Sequence, residues 1–281
     1  MIKRYKNMKY FQKTSLHFIL IFISILFLIP LFWMISTSLK TPDQLFLSHI
    51  NFIPKPFVFQ NYSEVFKHVD LICAFQNTFL LCVLNVFGAV FASSMAAYAF
   101  SVLRWKFRDF FFYLTLATMM LPEMVTLVPQ FVLFQKLGFY GSFLPLIIPQ
   151  LCGSAFYIFL LRQFFLTIPK ELHESASLDG SSEFDIYRKI YLPLSVPALS
   201  VVALFQFLYT WNDLMKPSIY LINKNQYTLS LALQQFKAQH GGTEWNMLMA
   251  CATLFVLPVV ILFFFMQKTF VQGIKMTGIK E

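Results

Sequence analysis

Charge is what this sequence has least of. Only 12% of its 281 residues are Asp, Glu, Lys or Arg, about half of the roughly 25% carried by a soluble domain. That shortage excludes a water-soluble globular protein, and a hydrophobic content of 58% excludes a disordered chain. Acidic residues are the scarcest, 13 against 22 Lys and Arg, which gives a net charge of +9. The four cysteines, Cys73, Cys82, Cys152 and Cys251, lie inside apolar stretches with no CxxC or Cys/His spacing. Neither a zinc site nor a disulfide framework is therefore indicated, and each reads as a small buried hydrophobe. No GxxxxGKS or GxxxxGKT run supplies a phosphate-cradling loop. The histidines His17, His49, His68, His173 and His240 are scattered, and His173-Glu174 is not part of an HExxH motif, so no metal site is expected.

What the sequence does have is long apolar runs. Lys13 to Lys40, Asp70 to Arg104, Lys136 to Arg162, Lys189 to Asp213 and Glu244 to Lys268 each bracket a stretch without a single Asp, Glu, Lys or Arg. Asp109 to Lys136 brackets a sixth, interrupted only by Glu123. Each reaches the roughly 20 residues that a membrane-crossing helix needs, whereas barrel strands would be half as long and alternating. These runs predict an all-α polytopic membrane protein with six transmembrane helices. The basic N-terminus resembles a signal peptide, but its apolar run is too long and ends at Ser36-Thr37-Ser38-Leu39-Lys40 without a small-residue cleavage site. It reads as a retained first span.

Basic residues set the expected orientation. Lys and Arg in the N-terminal arm, the 101–110 loop, the 162–195 loop and the tail are about twice as many as in the alternate loops of similar total length. The excess predicts both termini in the cytoplasm (N-in/C-in). It also turns the +9 into a record of topology, so nucleic acid is not needed as a partner. With no internal repeat, the expected organisation is an N-terminal arm at 1–13, a first helix and first external loop at 14–70, and a membrane core at 71–281.

The 162–195 loop is not built like a linker. Pro169 stands at a first helical position, with Glu171 and Glu174 favouring the positive end of the helix dipole and Gly180 a natural stop. Ser182 can cap a second helix with Asp185 three residues on. Phe184, Tyr187, Ile190 and Tyr191 give that helix an apolar stripe, and Leu192-Pro193 ends it. The expected product is a helix-turn-helix elbow between two membrane helices. From physics alone, an amphipathic pair resting on lipid headgroups competes with an elbow that passes force.

The spacing here resembles a known signature. Glu174-Ser175-Ala176, three residues, Gly180, nine residues, Ile190-Tyr191-Leu192-Pro193 looks like the EAA-x3-G-x9-I-x-L-P motif of ABC importer permeases. Ser175 departs from the usual Ala but is still small enough for close packing. Asn77-Thr78, Ala97-Tyr98-Ala99, Trp211-Asn212-Asp213, Phe270-Val271-Gln272-Gly273 and Gly278-Ile279-Lys280 are similar to the carbohydrate-uptake branch, the MalG-like inner-membrane subunit. The resemblance covers roughly residues 70–281. It implies a MetI-like permease core in a bacterial inner membrane, with no catalytic residue and no cofactor of its own. It also implies a second permease subunit, two ATP-binding cassette subunits that use the ATP, and an extracytoplasmic solute-binding protein. Carried over residue by residue, ATPase docking falls on Glu174, Ser175, Ala176, Leu178, Asp179, Gly180, Ile190, Leu192 and Pro193.

Two further regions are candidates. Glu123, in Leu121-Pro122-Glu123-Met124, is the one acidic residue well inside a span. At 1.5 Å per residue a straight helix would set it roughly 20 Å from the cytoplasmic edge. With Pro122 and Pro129 it suggests a broken helix lining a path, to which Asn212 is added; the competing reading is a carboxylate tolerated at a wet outer mouth. In MalG-like proteins the last external loop reaches the binding protein, which points to Gln235, Gln239, His240 and Gly241, with Asn61 and Tyr62 of the first loop beside them. A stand-alone secondary transporter or channel is the alternative, and it would want more intramembrane charge and an inverted repeat. An integral membrane enzyme would want a polar constellation that is absent. The orientation yields the first prediction: a C-terminal reporter that works only in the cytoplasm will be active. A reporter active only on the outer face would reverse the assignment.

Overall fold

The computed structural model describes residues 2–45, 51–238 and 244–278. The regular structure among those residues is helix, without strands. In chain order the helices are α1 (Ile2–Ser38), α2 (Pro42–Leu45), α3 (Gln60–His68), α4 (Leu71–Ser101), α5 (Arg108–Thr118) and α6 (Glu123–Lys136). Then come α7 (Leu144–Leu151), α8 (Ala155–Phe165), α9 (Lys170–Leu178), α10 (Glu183–Ile186) and, after a π turn at Tyr187–Tyr191, α11 (Leu192–Leu194). The series closes with α12 (Val196–Asn212), α13 (Met215–Tyr220), α14 (Leu229–Ala238) and α15 (Trp245–Gly278). Among the described residues four stretches are long and apolar enough to cross a membrane, and six are if each of two bent pairs counts as one span. Four of the six expected segments correspond to those stretches, and the other two fall on the bent pairs.

The bends differ from the sequence expectation. Between α5 and α6 the chain turns by 97°. Pro122, which has no N–H to offer α5, stands extended (ψ 136°) as the residue before α6. Pro129, the other suspected breaker, stays inside α6. The second bend, of 80°, falls at Ser195, so Glu183–Leu194 runs on as helix through Leu192-Pro193 instead of ending there. Pro193 sits in the first turn of α11, where a missing N–H costs no intrahelical hydrogen bond.

The chain forms two compact units, 1–69 with 233–257, and 70–232 with 258–281. The second is organised on α4, whose first turn is capped by Asp70 accepting from the Cys73 N–H at 3.1 Å. One face of α4 is buried and made mostly of small or short residues: Ala74, Thr78, Cys82, Gly88, Ala89, Ser93, Ser94 and Ala97. With buried Asn85 between Cys82 and Gly88 they recur every three or four positions, so they form one stripe against which α7, α8 and α12 pack. In lipid there is little hydrophobic drive between helices, and close approach of backbones across small residues replaces it. At Gly88 an added Cβ would lie 2.5 Å from the Leu151 side chain and 3.3 Å from its Cα. Between α7 and α8, Gly153 takes φ +77°, and the next N–H, of Ser154, donates to Ser93 Oγ at 3.2 Å.

In the first unit, α1 exposes almost every apolar side chain of its spanning window, as a lipid-facing helix does. Its C-terminal end is tied by a buried amide. Asn61 Nδ2 donates to the carbonyls of Ser38 (2.8 Å) and Lys40 (2.9 Å), and Asn61 Oδ1 accepts from Asn246 Nδ2 at 3.3 Å. Tyr62 OH shares a 2.7 Å hydrogen bond with Ser38 Oγ. Asn61, expected on an external docking surface, is instead 5% exposed and spends its hydrogen bonds inside the protein. Asn61→Ala should leave those two carbonyls unpaired at a cost of about 2 kcal/mol. The measurement is the thermal-unfolding midpoint in detergent, expected a few degrees lower; an unchanged midpoint would contradict this role.

Candidate functional site

The elbow expected from the sequence is formed by α9 to α11. Pro169 precedes α9 as its N-cap rather than occupying the first helical position, a shift of one residue. The helix ends in a complete Schellman motif: the Ser181 N–H donates to Ala176 O at 3.0 Å and the Gly180 N–H to Ser177 O at 3.1 Å. That closure requires Gly180 to take φ +79°, a left-handed conformation open to glycine and strained for residues with a Cβ. Ser182 then caps α10, its Oγ accepting from the Asp185 N–H at 3.2 Å. Both signals were legible in the sequence.

One side of the elbow is fixed to the α4 unit. Ile186, Tyr187 and Tyr191 are buried in a cluster with Tyr98, Phe165, Ile168 and Val202. The Tyr98 ring packs against those of Tyr187 and Tyr191, with centroids 5.3 and 5.0 Å away. Tyr98 OH donates to Glu183 Oε2 at 2.7 Å, and Tyr187 OH shares a 2.7 Å bond with Ser94 Oγ. His173 Nε2 lies 3.8 Å from Glu183 Oε1, tying α9 to α10. A cavity of about 1050 Å³ opens between α9 and the 101–108 segment, lined by Arg104, Arg108, Lys170, His173, Glu174 and Leu178 among others.

The N-terminal half of the motif is the exposed part of the elbow, and Glu174 and Leu178 also border that cavity. Glu174, Ser175, Leu178, Asp179 and Gly180 are exposed, Leu178 at 88%, while Ala176 is half-buried against the α4 cluster. Glu174 makes no ion pair with any described residue. Ile190 and Leu192 are half-buried against the same cluster, and Pro193 is exposed. The candidate docking residues therefore divide: the N-terminal half of the motif is an outward surface, and Ile190 and Leu192 are the anchor that holds it.

A second polar cluster stands at the other end of α12. Glu123, the first residue of α6, accepts from Lys216 Nζ at 2.6 Å and from Tyr209 OH, both at Oε1. Lys216 Nζ also donates to Tyr209 OH at 2.8 Å, and its backbone N–H donates to Asp213 Oδ1 at 3.2 Å. Burial pulls the Lys216 pKa down, but its hydrogen bonds to Glu123 and Tyr209 outweigh burial and leave it above the ordinary lysine value. Burial pushes the Asp213 carboxyl up. The depth expected for Glu123 assumed a straight helix, and the 97° bend removes that assumption. Its partner lies four residues beyond the last residue of α12, about 25 Å of helix away from the turn at Ser195. Pro122 stands immediately before it, whereas Asn212 turns back to donate to Leu208 O at 2.8 Å and makes no hydrogen bond to the cluster.

Sequence reasoning missed Tyr98, Glu183 and His173 as the elbow's fixings, and Tyr209 and Lys216 as partners of Glu123. Nothing in the sequence neighbourhood of Lys216 announces a partner 93 residues upstream. Of the candidate binding-protein contacts, Gln235 is half-buried on α14, and Gln239, His240 and Gly241 lie outside the described residues.

Residues 88–276 match the family model of the binding-protein-dependent transport system inner membrane component. The chain is 34% identical over 272 residues to the probable ABC transporter permease protein YurM of Bacillus subtilis (strain 168), covering 96% of this chain and 90% of that protein. It is 32% identical over 271 residues to the arabinooligosaccharides transport system permease protein AraQ of the same organism, covering 95% and 96%. Among solved structures, a chain of a bacterial ABC transporter involved in the import of the acidic polysaccharide alginate superposes with a TM-score of 0.79. That match covers 91% of this chain and 95% of the other at 23% identity, and it shows a shared fold.

Tyr98→Phe should keep the aromatic packing and lose the bond to Glu183. About 1–2 kcal/mol of elbow anchoring should go with it, read as faster hydrogen exchange of the 183–187 amides, with the α4 interior unchanged. Equal protection in the variant would mean that Tyr98 OH does not hold the elbow.

Proposed function

The chain belongs to the family of binding-protein-dependent transport system inner membrane components, and on that footing we propose that it is the transmembrane permease subunit of an ATP-driven importer for a sugar or sugar derivative. The chain pairs with a second permease subunit in the cytoplasmic membrane, with N- and C-termini inside. Two ATP-binding cassette subunits dock on the 169–193 elbow, and an extracytoplasmic solute-binding protein delivers the cargo to the external loops, where Gln235, Gln239, His240 and Gly241 are the candidate contacts. This chain contributes no catalytic group; nucleotide chemistry belongs to the cassette subunits. The arabinooligosaccharide cargo in one relative's name supports the carbohydrate reading.

One observation carries the docking assignment: a glycine-closed helix whose exposed face holds an unpaired carboxylate and a bare leucine, while its other face is bonded into the membrane core. An exposed leucine beside an unpaired acid is poor design for a surface meant for water, and suits a cleft with apolar walls and a basic or backbone N–H donor. When the cassette subunits close on ATP, the elbow moves with them. Because Glu183–Leu194 is continuous helix up to the turn at Ser195, the movement reaches α12 and alternates access to the path. Glu123 and Pro122 at the α5–α6 break line that path, with Asn212 at the end of α12.

Glu174→Lys reverses the docking charge, and Gly180→Trp forces a Cβ and an indole onto the left-handed turn. Both variants should insert in the membrane in normal amounts but lose solute uptake and the rise in ATP hydrolysis on adding binding protein and solute. Co-purification should recover less than about a tenth of the cassette subunit, the loss of a charge-assisted contact or of the helix end. Normal uptake by both variants would remove the elbow from the coupling step.

A further inference from the structure

Glu123 is held in an unusual way. Both of its donors, Lys216 and Tyr209, bind the same oxygen, Oε1, and Oε2 accepts no hydrogen bond from any described residue. The Glu123 side chain is 53% exposed while that of Lys216 is 13% exposed, so the ammonium is spent inside and the carboxylate edge is presented. Beside it the Tyr209 residue is 40% exposed. Its hydroxyl donates to Glu123 and accepts from Lys216, whose Nζ also stands over the ring, 5.2 Å from its centroid. The break before α6, the last turn of α12 and the start of α13 thus meet at one acceptor next to one aromatic ring.

That pair has a chemical preference. A carboxylate with one oxygen already held by two donors can accept from a hydroxyl at its other oxygen with little further cost of ordering. An exposed aromatic ring gives the apolar C–H face of a sugar ring a flat partner. An anion finds nothing here: the Lys216 charge is cancelled by Glu123, and Asp213 adds a second acceptor at the Lys216 backbone. We propose that Glu123 Oε2 and the Tyr209 ring form a contact site for a neutral, hydroxyl-bearing carbohydrate at the outer end of the path, with Lys216 as the positioning residue, and that the site disfavours solutes carrying carboxylate or phosphate. This rests on the importer reading above and narrows its solute class.

The test uses the whole importer in proteoliposomes, with its binding protein inside the assay in every arm. Uptake is compared for neutral trisaccharides and for the same sugars oxidised to carry a terminal carboxylate. The wild type should take the neutral sugars in preference. Glu123→Gln and Tyr209→Ala should each cut neutral uptake about tenfold, the worth of one hydrogen bond to a charged group, and narrow the neutral-to-anionic ratio. Because the binding protein is the same throughout, a changed ratio belongs to this chain. Lys216→Met, with Tyr209→Phe beside it, should move the ratio less than Glu123→Gln. Preference for the oxidised sugars, or a parallel fall for both sugar types, would overturn the proposal; a parallel fall with a lower unfolding midpoint would make the cluster a structural latch. Wild-type ATPase that ignores the binding protein would instead overturn the importer reading itself.

Discussion

The small-residue face of α4 is the constraint from which the rest follows. A helix in lipid gains nothing from burying leucine against leucine, so packing must come from backbones that approach closely and from polar groups that find partners. Ala89, Ser93, Ser94 and Ala97 supply both. They let α7, α8 and α12 close on α4, and the Ser93 and Ser94 hydroxyls reach the Gly153–Ser154 turn and Tyr187. Replace that stripe by larger apolar residues and the span would still insert, but the elbow would have no floor. The tyrosines Tyr98, Tyr187 and Tyr191 then fill the wedge between α4 and the elbow, with amphipathic rings at the end of an apolar span, as such side chains suit the boundary of a bilayer.

Fixing one side of a helix pair leaves the other free to be specific. The elbow's exposed face is defined by what it does not pair with: Glu174 makes no ion pair with any described residue, and Leu178 is 88% exposed. The Schellman closure at Gly180 keeps this face short and blunt, because the chain reverses immediately and the Ser182 cap starts the return helix two residues later. Five of the protein's 13 acidic residues fall between Glu171 and Asp185. On a chain of net charge +9, whose basic residues crowd the same expected side of the membrane, this concentration sets the elbow apart from its surroundings.

Local signals in the sequence were read correctly because their physics is local. Apolar run length, the Gly180 stop and the Ser182–Asp185 cap each depend on residues a few positions apart. The break in the third apolar run was anticipated from Pro122 and Pro129, yet only Pro122 stands at it; Pro129 remains in α6 because a proline within a helix can have its freed carbonyl accommodated. The turn at Ser195 was placed too early for the same reason, since Leu192-Pro193 falls where a missing N–H costs little. What stayed hidden was long-range. Asn61 looks like any loop asparagine until Asn246 is beside it, and Lys216 looks like a loop charge until Glu123 is beside it. The resemblance named Ala97-Tyr98-Ala99 as a patch without saying that Tyr98 grips Glu183.

The two polar features share one connecting element. The elbow enters α12 at Ser195, and Tyr209 in its last turn, with Lys216 just beyond it, holds Glu123. Between them run 17 residues without an internal proline after the first turn. A helix of that length, packed along α4 and α8, is a poor spring: stretching it breaks hydrogen bonds in series, and bending it separates closely packed backbones. A displacement applied at the elbow therefore has two places to go, the dihedrals of Ser195 or the Glu123 cluster. Ser195 is buried with an 80° bend around it, and packing there limits how much the turn can absorb. The cluster is the softer end, since one of its members is half-exposed and one of its carboxylate oxygens is unengaged. In the proposed importer, the end of α12 that meets solute is thus the end at which force entering from the elbow is released.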